Sequence, residues 1–168
     1  MSVQIQDNFL NQRYFDSLHK KIMGQSFSWF YTDYIVEKDK RDSKFQFIHT
    51  IYDKTLNDPD TYEKLKPMFQ LMGAKSVWRI KLNLIPKTYE IEENEYHTDI
   101  HENSNEGWYT SIFYMNTNDG YTIFDNGTMI NSVKNRLITF PAKMKHAGTS
   151  CTDQKRRVVI NFNYRKKL

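Results

Sequence analysis

The sequence predicts an α+β domain in which helices near the N-terminus pack against an all-β core. Three observations predict it. At 168 residues the chain has the length of one domain. Its first 77 residues hold two apolar stripes at helical spacing, each ended by a glycine. From Trp78 onward the pattern changes to short strands set roughly 8–12 residues or more apart by polar turns, as in an antiparallel sandwich or barrel. We therefore read 1–168 as a single domain, with a helical and strand support region over 1–77 and a β core over 78–164.

Asp7 is placed to cap a first helix through Phe9, Leu10, Tyr14, Leu18 and Ile22, ended by Gly24. Phe27–Tyr31 has the two-residue alternation of a strand, Asp39–Asp42 is a charged loop, and Phe45–Tyr52 reads as a second strand. Asn57-Asp-Pro-Asp is a turn and cap, opening a helix through Tyr62, Leu65, Met68, Phe69 and Met72 that ends at Gly73. The core strands are Trp78–Ile85, Glu95–His101, Trp108–Asn116, Tyr121–Phe124, Thr128–Ser132, Arg136–Phe140 and Arg157–Tyr164.

Composition narrows the class. Aromatics make up 15% of the chain, whereas disordered chains are poor in them, so a natively unfolded protein is excluded. No run approaches the ~18 consecutive apolar residues of a membrane span. The opening MSVQIQDNF has neither a basic nor an apolar signal region, so a cytoplasmic location is expected. Cys151 stands alone and cannot form an intramolecular disulfide or a thiolate zinc site by itself. The formal charge of +4 is spread, apart from Lys155–Arg157 and Arg165–Lys167, and gives no basic face of the kind nucleic-acid binding needs.

Chemistry concentrates at His97-Thr98-Asp99. On a strand, residues i and i+2 share a face, so the imidazole and the carboxylate converge. His146, from a distant strand, would complete two histidines and one carboxylate, the facial triad of non-haem Fe(II) oxygenases, which leaves three adjacent positions open. His101 extends the motif to HxDxH and invites a zinc-hydrolase reading, but the further histidines of such sites are missing. His101 is expected to face solvent or to support the ligands. His49 is as readily a hydrogen-bonded core residue as a substrate contact, His19 is read as surface, and Cys151 as an unreactive thiol.

Taken in order, HTD at 97–99, YTSIFYMN at 109–116, GYTIF at 120–124, NRLITFPAKMKHAG at 135–148 and RVVINFNY at 157–164 resemble the 2-oxoglutarate- and Fe(II)-dependent dioxygenases. The likeness is to the prolyl-4-hydroxylase-like branch and its short phage-type members, over roughly 78–164. It implies a double-stranded β-helix, a jelly-roll or cupin-like core with the N-terminal helices packed against it. It implies that His97, Asp99 and His146 hold Fe(II), that Tyr114 hydrogen-bonds the 2-oxoglutarate carboxylate, and that Arg157 pairs with its distal carboxylate. O2 is then consumed, succinate and CO2 are released, and ascorbate supports activity. Strand alternation from Arg157 puts Val159, Asn161 and Asn163 on one face, and Arg79, Lys81 and Asn83 share another, making Asn161 and Asn83 polar linings of the co-substrate pocket.

Three departures bear on the substrate. Gly120-Tyr121 stands where the family often has Gly-Gly, a tyrosine common before the HxD strand is replaced around Asn83–Pro86, and Arg157 stands where collagen-type enzymes often have lysine. The expected substrate is a small molecule or peptide, prolyl or another amino-acid side chain, and the oligomeric state is left open. The rival readings are a catalytically silent metal-binding β-barrel acting as an interaction module and an oxidative nucleic-acid demethylase. The loop Glu102–Gly107 is expected beside the metal mouth.

Overall fold

The computed structural model describes residues 2–36, 44–100 and 107–166. In chain order these form β1 (Gln4–Gln6), α1 (Gln12–Ile22), β2 (Phe30–Thr32), β3 (Gln46–Asp53), β4 (Thr55–Leu56), α2 (Pro59–Met72) and β5 (Ala74–Pro86). They continue with β6 (Trp108–Tyr114), β7 (Tyr121–Phe124), β8 (Met129–Asn131), β9 (Leu137–Pro141), β10 (His146–Gly148) and β11 (Arg156–Lys166). The Asp39–Asp42 loop, His101 and the 102–106 stretch of the expected mouth loop lie outside the described residues.

Two antiparallel sheets face each other, the architecture expected of a double-stranded β-helix. The large one has the order β1-β9-β6-β11-β5-β3-β2, with β4 beside β3, and the small one is β10-β7-β8. Strands from the first 77 residues thus extend the large sheet at both edges. Alternation along β11 separates its two faces. Val158, Ile160, Phe162 and Tyr164 join α1 and α2 in one core through Phe15, Leu18, Ile22, Leu65 and Met68. Val159 packs between the sheets with Ile112, Tyr114, Phe124, Ile138 and Phe140. On β5, Ile80, Leu82 and Leu84 take the helix side, which turns Arg79, Lys81, Asn83 and Ile85 inward. The molecule is a helix layer, a large sheet and a small sheet, with the polar residues of β5 and β11 trapped between the sheets.

Several local expectations are corrected. Asp7 is not a helix cap. Its carboxylate accepts from Arg136 Nε at 2.6 Å and Nη2 at 3.0 Å, and Asn11 caps α1 by accepting from the Tyr14 amide at 3.0 Å. The chain delays the helix because Leu10 is held by both ends of the Asn135 side chain, at 2.9 and 2.8 Å. The first aromatic strand is displaced to Phe30–Thr32, and β1, β4 and β10, of two or three residues each, were not foreseen. The described part of Glu95–His101 is not a continuous strand: within it His97 makes a single bridge with His146, and just before it Glu93 bridges Thr149.

α2 follows the sequence closely. Asp58 accepts from the Thr61 amide at 3.0 Å, Pro59 takes the first helical position, and the helix stops at Gly73, whose φ is 67°. Asp58 also meets His49 Nε2 at 3.0 Å. Asp58→Ala should therefore lower stability by about 1 kcal/mol or somewhat more, read as a lower denaturant midpoint at unchanged slope. A midpoint equal to the wild type's would remove the cap assignment. Among the described residues no helix is long and apolar enough to cross a membrane.

Candidate metal centre and co-substrate cavity

His97 and His146 come together through backbone pairing rather than through a regular strand. Each amide donates to the other's carbonyl at 3.0 Å, which sets the two rings 4.7 Å apart between centroids. A bend after His97 then brings Asp99 round, so that Oδ1 lies 4.0 Å from His97 Nε2 and Oδ2 lies 3.8 Å from His146 Nε2. One ligating atom from each residue falls within 4.8 Å of the others. Nδ1 of His97 donates to Glu95 O and Nδ1 of His146 to Met144 O, both at 3.2 Å. Those bonds fix the tautomer that leaves Nε2 unprotonated and aimed at the shared centre.

Asp99 is fixed by a closed polar ring. Oδ1 accepts from Arg79 at 2.9 Å and Oδ2 from Thr110 at 2.9 Å, while Asn163 bonds both Arg79 Nε at 3.1 Å and Thr110 Oγ1 at 3.0 Å. Burial pushes the Asp99 carboxyl up, but His146, Arg79, His97 and the Thr110 hydroxyl together hold it well below the usual carboxylate range. Burial, with the neighbouring His146, pulls His97 down to about 4. The centre therefore offers an unprotonated imidazole and an ionised carboxylate at neutral pH, the protonation states that a divalent cation requires. Two imidazoles and one carboxylate are also a donor set suited to Fe(II).

The same cavity is lined by Arg157, Lys81, Asn83, Asn161 and Thr122. Arg157 is 3% exposed. It donates from Nε to Ser132 Oγ at 2.8 Å and from Nη2 to Thr122 Oγ1 at 3.2 Å, and it makes no ion pair with any carboxylate among the described residues. Burial pulls its pKa down, yet a guanidinium stays charged. Two glycines make room for it. A Cβ on Gly120 would lie 2.8 Å from Arg157 Cδ and collide with the Ser150 carbonyl, and one on Gly148 would lie 3.2 Å from Nη1.

Tyr114 is fully buried and does not line the cavity. Its hydroxyl donates to Thr122 Oγ1 at 2.8 Å, and its ring lies under the guanidinium at 5.6 Å. Burial pushes its phenol up, so it remains a donor. Asn161 Nδ2 donates to Asn83 Oδ1 at 3.0 Å, and Asn83 Nδ2 to Gln46 Oε1 at 2.7 Å, leaving Asn161 Oδ1 buried without a partner.

Sequence reasoning named the triad, Arg157, Asn83 and Asn161 but not Thr122, Ser132, Arg79, Thr110 or Lys81. Alternation had put Arg79 and Lys81 on the face of Asn83, and that was the available signal. Thr122 and Ser132 read as ordinary strand residues, because only contacts across the barrel distinguish them. His49 lies apart, between Asp58 Oδ2 and Ser28 O. Cys151 is buried, bonds Gln154 O at 3.4 Å and is pushed up by burial.

By sequence the chain matches no family model and no curated protein. Solved structures do match. A Pseudomonas putida prolyl-4-hydroxylase aligns with a TM-score of 0.63 at 15% identity, over 98% of this chain and 92% of that one. The viral collagen prolyl hydroxylase of Paramecium Bursaria Chlorella virus-1, solved with 2-oxoglutarate, gives 0.63 at 13%, over 100% and 97%. A Trichoplax adhaerens prolyl hydroxylase in complex with a hypoxia-inducible-factor peptide gives 0.71 at 13%, over 97% and 83%. The protein thus has the double-stranded β-helix fold of the prolyl-4-hydroxylase-like 2-oxoglutarate/Fe(II) oxygenases.

Proposed function

We propose that the protein is an Fe(II)- and 2-oxoglutarate-dependent hydroxylase acting on a peptidyl or free amino-acid side chain, prolyl residues included. One observation carries this reading: a buried guanidinium without a carboxylate partner among the described residues lines the cavity that holds two histidines and an aspartate. An uncompensated buried charge is costly, and a ligand carboxylate offsets that cost bidentately. The prolyl hydroxylases with the same fold support the substrate class.

In this reading His97, Asp99 and His146 hold the metal. Arg157, steadied by Ser132 and Thr122, receives the distal carboxylate of 2-oxoglutarate. Tyr114 acts through Thr122 as a positioning residue. Because Thr122 Oγ1 accepts from both Tyr114 and Arg157, its own proton is free to point elsewhere. Asn83 and Asn161 form the polar wall, and the flanking apolar residues exclude water, which strengthens each charge contact. Bound iron supplies O2 activation, which no side chain here can supply.

The test is conversion of 2-oxoglutarate to succinate with added Fe(II) and ascorbate, alongside a 2-oxoglutarate-dependent rise in melting temperature. Absence of both would favour an interaction module instead. A finer prediction uses Gly148. Gly148→Ala pushes a methyl against Arg157 Nη1, so the KM for 2-oxoglutarate should rise severalfold with kcat nearly kept. An unchanged KM would mean that Nη1 does not face the co-substrate.

A further inference from the structure

We infer that Lys81 is a second carboxylate anchor, forming with Arg157 a two-cation clamp that binds a short α,ω-dicarboxylate even without metal. The inference rests on the functional reading above and adds to it a binding residue at the opposite end of the cavity. Lys81 lines the cavity with His97, Asp99 and Asn161. Its ammonium makes no hydrogen bond or ion pair among the described residues. The charged groups around it are Arg79, Asp99 and Asp53. Arg79 is committed to Asp99 and Asn163, and both Asp99 oxygens are already engaged by Arg79 and Thr110.

Among the described residues no carboxylate pairs with the Lys81 ammonium, although Asp99 and Asp53 lie near it. Leu82 and Ile80, on either side, carry the helix-side packing, and an inward methionine would fill a similar volume without a charge to desolvate. The charge is explained if an anion enters the cavity. A single carboxylate does not serve both cations. Arg157 stands opposite Ile85 and Lys81 opposite Asn161, four residues apart along the ladder, or about 13 Å of strand. Both long side chains line one cavity from those positions, and in the clamp a five-carbon dicarboxylate bridges them. Arg157 holds one end and Lys81 the end nearer His97 and Asp99.

The rival role for Lys81 is to meet an anionic group on the substrate to be hydroxylated. Calorimetry on the EDTA-treated full chain separates the two. The probes are glutarate, which lacks the 2-oxo group needed for chelation, and pentanoate, which lacks the second carboxylate. The wild type should bind glutarate more tightly than pentanoate without metal. Lys81→Met should weaken glutarate at least tenfold and leave pentanoate unchanged, and Lys81→Arg should restore most of the loss.

Lys81→Met binding glutarate within about twofold of wild type overturns the clamp, and so does wild-type protein that binds glutarate no better than pentanoate. If 2-oxoglutarate still binds wild type with Mn(II) in either case, the functional reading stands without the clamp. If it binds neither with Mn(II) nor without metal, both fall. Equal melting temperatures of the unliganded variants show that the fold is kept.

Discussion

His97→Ala should abolish both Fe(II) binding and the conversion of 2-oxoglutarate to succinate while leaving the melting temperature close to that of the wild type. In the proposed site His97, Asp99 and His146 would hold the metal, and their tautomers and orientations are already set by Glu95 O, Met144 O, Arg79 and Thr110. Loss of such an orienting partner alone costs roughly 10- to 100-fold in metal affinity, so loss of a ligand should exceed about 100-fold. His97 is the cleanest of the three to remove. Its side chain is 30% exposed, against 4% for His146, and His146 also packs on the Phe140 ring at 4.8 Å. His146→Ala should lose binding and some stability together, and Asp99→Ala should strand Arg79. His19→Ala, on α1, serves as the unaffected control. Metal titration followed by calorimetry reads the result. If His101→Ala proved as damaging as His97→Ala while His146→Ala bound iron normally, the third ligand would not be His146.

The strands and helices that place this centre are largely legible where they bury one face. α2 carried every signal at once: an Asp58 cap, Pro59 at the start, an apolar stripe and Gly73 at the end. β11 was legible as a strand but not in its facing. Val158, Val159 and Ile160 are all buried, since the strand lies between two cores, and period-2 alternation fades wherever both faces are apolar. The structure resolves it: Val158 and Ile160 meet the helices and Val159 meets the small sheet. β1, β4 and β10 have two or three residues each, too few for a period to show. The HxD segment failed for another reason. Its pairing is interrupted, so the convergence of His97 and Asp99 comes from one bridge and a bend rather than from strand pleating. The three side chains do come together, by a different route. Arg79 and Lys81 share the face of Asn83 by alternation, but the significance of Thr122 and Ser132 lies in what they face across the barrel, which local sequence does not encode.

Arg157→Ala should raise the 2-oxoglutarate requirement at least tenfold, whereas the neighbouring Arg156→Ala should leave it nearly unchanged. Adjacent residues on a strand point to opposite faces, and the two arginines do so. Arg156 reaches outward to the C-terminal end of α1 and donates from Nη2 to Met23 O at 2.6 Å, where a cation also complements the helix dipole. Arg157 reaches inward to Ser132 and Thr122 and lies over the Tyr114 ring. A charge-assisted hydrogen bond to a carboxylate contributes about 1.5–3 kcal/mol, roughly 10- to 150-fold in affinity. The loss at position 157 should appear in the 2-oxoglutarate KM, while position 156 should show only a modest fall in melting temperature. Arg157→Lys separates charge from shape. A lysine keeps one positive charge but cannot donate in parallel to both oxygens, so its KM should fall between those of the wild type and the alanine variant. Side-by-side kinetics decide the matter. A larger KM effect at Arg156 than at Arg157 would place the distal carboxylate on the helix side of β11 and outside the cavity, and the co-substrate assignment would then be wrong.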